Sequence, residues 1–400
     1  MQNSGGRELS ELTDFGFDRH PFALVPSSGV TNWAGRDNER RLLRDIVESV
    51  LTTDTGLSEF VLLHGSYGAG KSHALKYLTT LITETEATHF KARAIYLPKV
   101  RVDQRVDFVR LYKEIIAELG HDFFRRLAST ISQSVDSAAD SLGGEMHRDK
   151  EKELIRNDPG YFRKQVIDGL DEDVRSTVQL LHMLDEGNEN VIKYLAGGKL
   201  NIGEAGFAQS IDSDYAATRM LASIFRVMTL EVGNEDPAFR AVYLFADEVE
   251  DMWDLKSPEQ LAIWNGFREL LNRLPQNFCL LLSFTGDGAL LEATVPQALS
   301  ERTSRQNIEL LSLEVAEAKA FIADHLADFR REEFEAAQPY YPFAEEAIDY
   351  VLETIVVMVP RKIFRSLRTV LERAVRREGL QPGEEISAQM AEDILVSMGM

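Results

Sequence analysis

A glycine-rich stretch has the spacing Gly-x-x-x-x-Gly-Lys-Ser over residues 65–72. Gly65, Gly68 and Gly70 would let the backbone curl until several of its N–H groups face one anion. Lys71 can then reach the β- and γ-phosphates of a nucleoside triphosphate, and the Ser72 hydroxyl can bind Mg²⁺. We therefore expect ATP and Mg²⁺ as cofactors, held by the segment Gly65, Ser66, Tyr67, Gly68, Ala69, Gly70, Lys71, Ser72 and His73.

The residues on either side of this stretch have the patterns of a strand and of a helix. Phe60–Leu63 is an apolar run that predicts a buried strand. His73–Thr80 predicts a helix whose N-terminus favours negative charge. A chance glycine turn could match the spacing alone, but the strand, the loop and the helix together favour a phosphate site.

A pair of carboxylates, Asp247 and Glu248, follows directly on the apolar run Ala241–Ala246. Hydrolysis of a phosphoanhydride needs one carboxylate to hold Mg²⁺ through water and another to orient or deprotonate the attacking water. We assign Asp247 to the metal and Glu248 to the water. A surface turn could also carry Asp-Glu, but the apolar strand before the pair favours the functional interpretation.

A third polar group ends the apolar run Phe278–Phe284. If this strand neighbours the strand before Asp247, its tip can lie beside the γ-phosphate and the attacking water. Thr285 is the first choice for this role and Ser283 is the second. An ordinary hydroxyl at the end of a strand is the alternative.

The elements that must position these groups alternate between strands and helices. Further strands are predicted at 91–98 and Asn307–Leu311, with helices at 107–119, Tyr215–Val232 and Pro258–Leu274. This alternation predicts an α/β fold, a parallel sheet covered by helices on both faces. The remainder of the chain is purely helical in pattern, over Glu314–Phe329, Pro342–Met358, Arg361–Glu378 and Ser387–Met398.

Composition divides the chain further. Residues 128–214 are acidic, rich in Ser, Asp and Glu, and carry short amphipathic pieces, which predicts a helical insertion. We expect an N-terminal arm at 1–30, two parts of the α/β core at 31–127 and 215–313, the insertion between them, and a helical lid at 314–400.

In this order of motifs the chain resembles the AAA+ ATPases, in which the glycine loop is Walker A and Asp247-Glu248 is Walker B. Trp33–Glu39 resembles the VGR-x-x-E box of the origin-recognition and initiator clade and of related transposition regulators, where this box lies against the adenine. The insertion and the string at 247–250 resemble BREX-like phage-defence ATPases more weakly. The resemblance implies a P-loop NTPase sheet sandwiched by helices, with a C-terminal all-α lid.

The same resemblance implies roles for three arginines. The box Ser300–Arg305 precedes the last strand, where the family keeps the arginine finger that reaches a neighbouring subunit's γ-phosphate. Arg305 is the first candidate and Arg302 the second, and a solvated helix end is the alternative. Arg361 matches the sensor-2 box, in which an arginine touches the nucleotide of its own subunit. We expect no counterpart of the winged-helix domain of the initiator clade, and therefore no independent sequence-specific DNA recognition.

Charge and composition narrow the possible partners. The formal net charge is −21, which is unlike a protein that coats DNA, yet residues 361–377 are strongly basic. This basic face could contact DNA phosphates or the acidic insertion of another subunit, and a solvated lid face is the equal alternative. The single cysteine, Cys279, fits a reducing cytoplasm. No apolar run approaches the ~20 residues that cross a bilayer, so no membrane contact is expected.

The function expected from these observations is that of a cytoplasmic, Mg²⁺-dependent AAA+ ATPase that forms a homo-oligomeric ring or filament. Hydrolysis would switch the assembly or recruit a protein effector, in a DNA-directed process such as transposition, replication or phage defence. The alternative is a nucleotide-gated scaffold with slow turnover that recruits a protein effector. A kinase is disfavoured because no acceptor site is evident, whereas the lid and finger boxes are present.

Overall fold

The computed structural model of the chain describes residues 12–22, 33–51, 57–85, 91–100, 107–145, 160–199, 210–255, 257–290, 295–301 and 307–399. The strands are β1 (Glu59–Gly65), β2 (Arg93–Leu97), β3 (Val242–Ala246), β4 (Phe278–Thr285) and β5 (Asn307–Leu310). The helices are α1 (Asp37–Leu51), α2 (Lys71–Thr80), α3 (Phe108–Leu119), α4 (His121–Glu145), α5 (Tyr161–Asp168), α6 (Glu172–Asp185), α7 (Asn190–Leu195), α8 (Asp214–Met228), α9 (Ser257–Arg273), α10 (Gln297–Ser300), α11 (Val315–Asp328), α12 (Glu345–Glu353), α13 (Pro360–Arg376) and α14 (Ala388–Ser397).

The strands form one parallel sheet in the order β2-β3-β4-β1-β5. The strands β1, β3 and β4 are almost wholly buried, as expected for apolar runs that are covered on both faces. Gly65 at the end of β1 pairs with Thr285 at the end of β4, and Ala246 at the end of β3 pairs with Leu282. The polar residues that follow these strands therefore meet at one edge of the sheet. The predicted α/β fold with a parallel sheet is confirmed.

Each face of the sheet carries its own hydrophobic core. One core includes Leu43 of α1, Leu78 of α2 and Leu63 of β1. The other joins the sheet to helices α3, α8 and α9, and it also contains Leu127 of α4 and Val178 of α6. The described helices of the predicted insertion therefore share a core with the sheet, and α4 runs without a break across residue 128.

A third core lies in the C-terminal helical unit, α11 to α14. Residues 12–22 belong to this core: Phe15, Phe17 and Phe22 are buried against the C-terminal helices. The backbone N–H of Arg331 donates to the carbonyl of Gly16, with 3.0 Å between the two atoms. The described part of the predicted N-terminal arm is thus a structural part of the helical unit.

One predicted lid helix, Pro342–Met358, is wrong in its bounds, because the helix present is α12, Glu345–Glu353. The backbone before α12 forms hydrogen bonds with Ile386 and not within a helix. The N–H of Ile386 donates to the carbonyl of Pro342 at 2.7 Å, and the N–H of Ala344 donates to the carbonyl of Ile386 at 3.0 Å. Residues after it, 354–357, are β-branched, which disfavours a continued helix.

His325 of α11 lies in an aromatic cluster that fixes the N-terminal segment to this unit. Its ring centroid is 4.3 Å from that of Phe364 and 4.6 Å from that of Phe329. Its Nε2 lies 2.5 Å from the carbonyl oxygen of Pro21. Burial among these rings lowers the pKa of His325 to about 4.

Acid is therefore expected to destabilise the helical unit through His325. In the unfolded chain the imidazole takes up a proton below about pH 6.5, whereas the folded imidazole stays neutral down to about pH 4. Between these values the unfolded state binds more protons, so the free energy of unfolding falls as the pH falls. From about pH 7.5 to about pH 5, the wild type should lose about 1–2 kcal/mol more than His325→Gln, which keeps an N–H donor but does not titrate. Denaturant unfolding at both pH values measures this difference, and equal losses would contradict it.

Candidate nucleotide site

The loop between β1 and α2 curls at two glycines that have left-handed backbone angles. Gly68 has φ +84°, and a Cβ there would lie 2.7 Å from the Cβ of Arg361. Gly70 has φ +107° and directly precedes the first turn of α2. Residues with a side chain would be strained in these conformations. The two glycines therefore allow the loop to curl so that its backbone N–H groups lie beside the N-terminus of α2, where an anion is favoured.

Lys71, the first residue of α2, is held inside the loop. Its Nζ donates to the carbonyl oxygens of Gly65 at 3.0 Å and Ser66 at 3.2 Å, and only 8% of the residue is exposed. Burial lowers the pKa of Lys71, and the nearby carboxylates of Glu250 and Asp247 oppose that shift. Phosphate oxygens can replace the two carbonyls as partners of this ammonium group.

Asp247, immediately after β3, is 2% exposed, and its carboxylate accepts hydrogen bonds from three donors. Oδ1 accepts from the hydroxyl of Ser283 on β4 and from the backbone N–H of Glu248, the latter at 3.0 Å. Oδ2 accepts from the hydroxyl of Tyr96 on β2 at 3.1 Å. Burial and the neighbouring carboxylate raise the pKa of Tyr96, so its hydroxyl remains a donor.

Of the two candidate hydroxyls at the end of β4, it is Ser283 that contacts Asp247. Side chains alternate between the faces of a strand, so Ser283 and Thr285 share a face and differ by one step along it. Ser283 is fully buried, whereas Thr285 is half-buried at the last position of β4, beside Gly65. On this face of β4, the Ser283 hydroxyl is therefore buried and the Thr285 hydroxyl is partly exposed to solvent.

Glu248 adopts the left-handed conformation, with φ 51° and ψ 42°, which is unusual for a residue with a side chain. It begins the 3₁₀ turn Val249–Asp254 that follows β3. Partial burial and the neighbouring Asp247, Asp251 and Glu250 raise the pKa of Glu248. A strained carboxylate with a raised proton affinity suits a group that accepts a proton from water.

The oxygen atoms near the loop are of the kind that ligates Mg²⁺. The Ser72 hydroxyl, in the first turn of α2 before His73, and the Asp247 carboxylate are hard oxygen ligands. Among the described residues, no group of three or more His, Cys, Asp or Glu side chains could hold a metal ion by itself. Mg²⁺ commonly takes one or two protein ligands and completes its shell with water and phosphate oxygens, which fits this arrangement.

The N-terminus of α13 contacts the same loop. The backbone N–H of Arg361 donates to the carbonyl of Gly68 at 3.3 Å. Its guanidinium carbon lies 4.3 Å from the centroid of the Tyr67 ring, a cation–π distance, and Tyr67 is 72% exposed. Across the loop, Ala69 donates its N–H to the carbonyl of Ser66 at 3.1 Å. The structure thus brings Arg361 to the loop from the helical unit.

The two finger candidates, Arg302 and Arg305, lie outside the described residues. The structure describes α10 and Glu301 before them and β5 after them.

The basic residues predicted to form one face at 361–377 differ in their surroundings on α13, because some of them contact other side chains of the protein. Arg368 pairs with Glu372 at 2.7 Å, and Arg373 donates to the hydroxyl of Ser397 at 2.9 Å. Lys362 and Arg365 are exposed and lie on one side of the helix. The surface open to a polyanion is therefore narrower than the seven basic residues of the sequence suggest.

The family follows from comparison with known proteins. The sequence model of the AAA ATPase domain matches residues 32–250, more than half of the chain and the whole path from Trp33 through the loop to Glu248. The chain belongs to the AAA ATPase domain family. A member of this family is expected to bind a nucleotide, and the loop of this AAA ATPase is the candidate site.

Solved structures support the same fold for this AAA ATPase. The ORC2 protein of Aeropyrum pernix, in ADPNP–ADP complexes, has a TM-score of 0.54 at 12% identity, over 96% of this chain and 72% of its own. The ORC1 protein of Aeropyrum pernix, in complex with DNA, has a TM-score of 0.50 at 11% identity, over 95% of this chain and 69% of its own. At these identities the likeness concerns the fold, and it agrees with the resemblance to the origin-recognition clade. No curated protein sequence matches the chain.

One site residue, Tyr96, was missed by the sequence interpretation. It lies one residue before the end of β2, next to the strand that carries Asp247. Polar residues at the ends of neighbouring parallel strands lie close together, and Tyr96 meets this condition as Thr285 does. In the part of the chain that the structure describes, no helix combines the length and apolar composition needed to span a bilayer.

Proposed function

We propose that this chain hydrolyses ATP and that the hydrolysis switches an oligomeric assembly of the protein. The observation that carries the proposal is the meeting of three groups at one edge of the sheet. These are the loop with its buried Lys71, the Asp247-Glu248 pair after β3, and Arg361 at the start of α13. A nucleotide in the loop would contact the sheet and the helical unit together.

In the proposed reaction the loop N–H groups and Lys71 bind the phosphates, and Ser72 and Asp247 hold Mg²⁺. When bound, the ion would supply positive charge that offsets the negative charge developing on the transferred phosphoryl group. Glu248 orients the attacking water and accepts its proton. Thr285, the last residue of β4, would contact the same water, while Ser283 donates to Asp247.

The switch would act through α13. Arg361 contacts Tyr67 and Gly68 in the loop, so an added γ-phosphate would compete with Tyr67 for the guanidinium group. In this proposal a change in the contact would shift α13, whose buried residues Ile363, Leu367 and Leu371 pack in the core of the helical unit. Nucleotide state would thereby be passed to the whole unit, including the N-terminal segment 12–22.

A second copy of the chain would complete the site. We propose Arg305, or else Arg302, as the arginine finger that reaches the γ-phosphate of a neighbour in a ring or filament. The exposed Lys362 and Arg365 suit contact with DNA phosphates. The likeness in fold to a DNA-bound ORC1 protein is consistent with a DNA-directed process, and a protein effector would read the assembled state.

The test is the molar mass by light scattering in the presence of a non-hydrolysable ATP analogue or ADP, each with and without duplex DNA. We expect a multimer with the analogue, further growth with DNA, and smaller species with ADP. Lys71→Ala, which removes the phosphate-binding ammonium group, is the control and should stay small with either nucleotide. An unchanged mass for the wild type under every condition would contradict the assembly switch.

A further inference from the structure

We propose that Tyr96 is a positioning residue that orients the Asp247 carboxylate and thereby sets the Mg²⁺ affinity of the nucleotide site. This inference rests on the proposed role of Asp247 at the metal. It concerns a residue on β2, an edge strand that carries none of the nucleotide-binding motifs.

The backbone brings Tyr96 to Asp247 by strand pairing. Tyr96 pairs with Phe245 in the parallel register of β2 and β3, and Leu97 pairs with Ala246. The pairing continues one step further, because the N–H of Asp247 donates to the carbonyl of Leu97 at 2.9 Å. The main chain of Asp247 is therefore fixed to β2 at the point where the Tyr96 hydroxyl reaches its Oδ2.

The carboxylate is held from both sides of β3. Tyr96 on β2 donates to Oδ2 at 3.1 Å, and Ser283 on β4 donates to Oδ1. A carboxylate with a donor on each oxygen has little freedom to rotate about its terminal bond. At 2% exposure, little water can replace either donor.

A fixed orientation matters for a metal ligand. Hydrogen-bond partners of ligating groups hold those groups in the geometry that the metal requires, and their loss typically weakens metal binding by about 10–100-fold. Tyr96→Phe removes one oxygen and keeps the ring, which packs against the core that contains Leu63 and Leu78. The remaining donors, Ser283 and the N–H of Glu248, both donate to Oδ1. Oδ2 would therefore lose the hydrogen bond that it accepts from the Tyr96 hydroxyl.

The experiment is a Mg²⁺ titration of the binding of a fluorescent ATP analogue, without reference to turnover. In Tyr96→Phe, the Mg²⁺ concentration for half-maximal binding enhancement should rise by about 10-fold or more. The affinity for the analogue in EDTA should be that of the wild type, because Lys71 and the loop N–H groups are untouched. A purely structural role of Tyr96 would lower both affinities together.

Tyr243→Phe is the matched control. Tyr243 lies on the neighbouring strand β3, is fully buried, and donates its hydroxyl to the carbonyl of Val47 at 2.6 Å. This variant also loses a tyrosine hydroxyl and a buried hydrogen bond in the same sheet, but none to Asp247. Its Mg²⁺ dependence should match the wild type.

Two further outcomes would overturn the inference alone. Tyr96→Phe could require no more Mg²⁺ than the wild type, or Tyr243→Phe could shift the requirement equally. In both cases the wild type still binds Mg²⁺ with the analogue, and the proposed function stands. A wild type that binds the analogue without any response to Mg²⁺ would instead remove the metal role of Asp247 and the inference with it.

Discussion

Glu248→Gln is expected to bind ATP with Mg²⁺ as the wild type does and to hydrolyse it about 10²–10⁴-fold more slowly. Glutamine keeps the size and the polar end of the side chain but cannot accept a proton from the attacking water. The neighbouring Asp247 and Lys71, which hold the metal and the phosphates in the proposed site, are unchanged. Phosphate release at saturating ATP measures the loss, and a fluorescent analogue measures the retained binding.

Asp251→Asn is the control for this variant. It removes a negative charge from the same 3₁₀ turn, where Asp251 contributes to the raised pKa of Glu248. Asp251 has no proposed contact with the nucleotide, so its variant should retain turnover. A comparable loss in both variants would mean that the net charge of the turn, and not the Glu248 carboxylate, supports hydrolysis.

The wild-type rate decides between the two proposed kinds of protein. If the wild type itself hydrolyses ATP hardly faster than Glu248→Gln, the proposed ATPase is contradicted. The nucleotide-gated scaffold would then be favoured, because ATP would hold an assembly together without being consumed. Binding of the analogue by both proteins would still support the nucleotide site.

The sheet could be predicted from the sequence because its strands carry their own evidence. The runs at 60–63, 241–246 and 278–284 are apolar except for Ser283 and are bounded by polar residues, and all three lie in buried strands. Once the strands are parallel, the meeting of the Lys71 loop with Asp247 follows from geometry. The fold class and the phosphate loop therefore followed from local patterns, and the roles of the individual site residues stay predictions.

Contacts between distant segments could not be predicted in the same way. The aromatic residues of 12–22 have no periodicity that names their partner, and Phe22 packs on Phe343 and Phe364 through a fold that only the whole chain defines. The choice between Ser283 and Thr285 depends on a single step along β4 relative to β3. Tyr96 resembles an ordinary strand tyrosine until the register of β2 against β3 is known.

Arg305→Ala is expected to lower ATPase activity by about 10³-fold or more while leaving ATP affinity nearly unchanged. An arginine finger neutralises charge that develops in the transition state, so its loss affects turnover more than ground-state binding. If Arg302 is the finger instead, Arg302→Ala shows this loss and Arg305→Ala does not. Turnover and analogue binding of the two single variants make the distinction.

The arrangement in trans can be tested by mixing two inactive variants. Glu248→Gln lacks the proposed water-activating group but keeps the finger, and Arg305→Ala lacks the finger but keeps Glu248. If the finger reaches a neighbour's nucleotide, mixed assemblies contain interfaces at which both groups are intact, so the mixture regains part of the activity. A finger acting on the nucleotide of its own subunit would leave every site in the mixture defective. Full activity in both single arginine variants would remove the finger from this segment altogether.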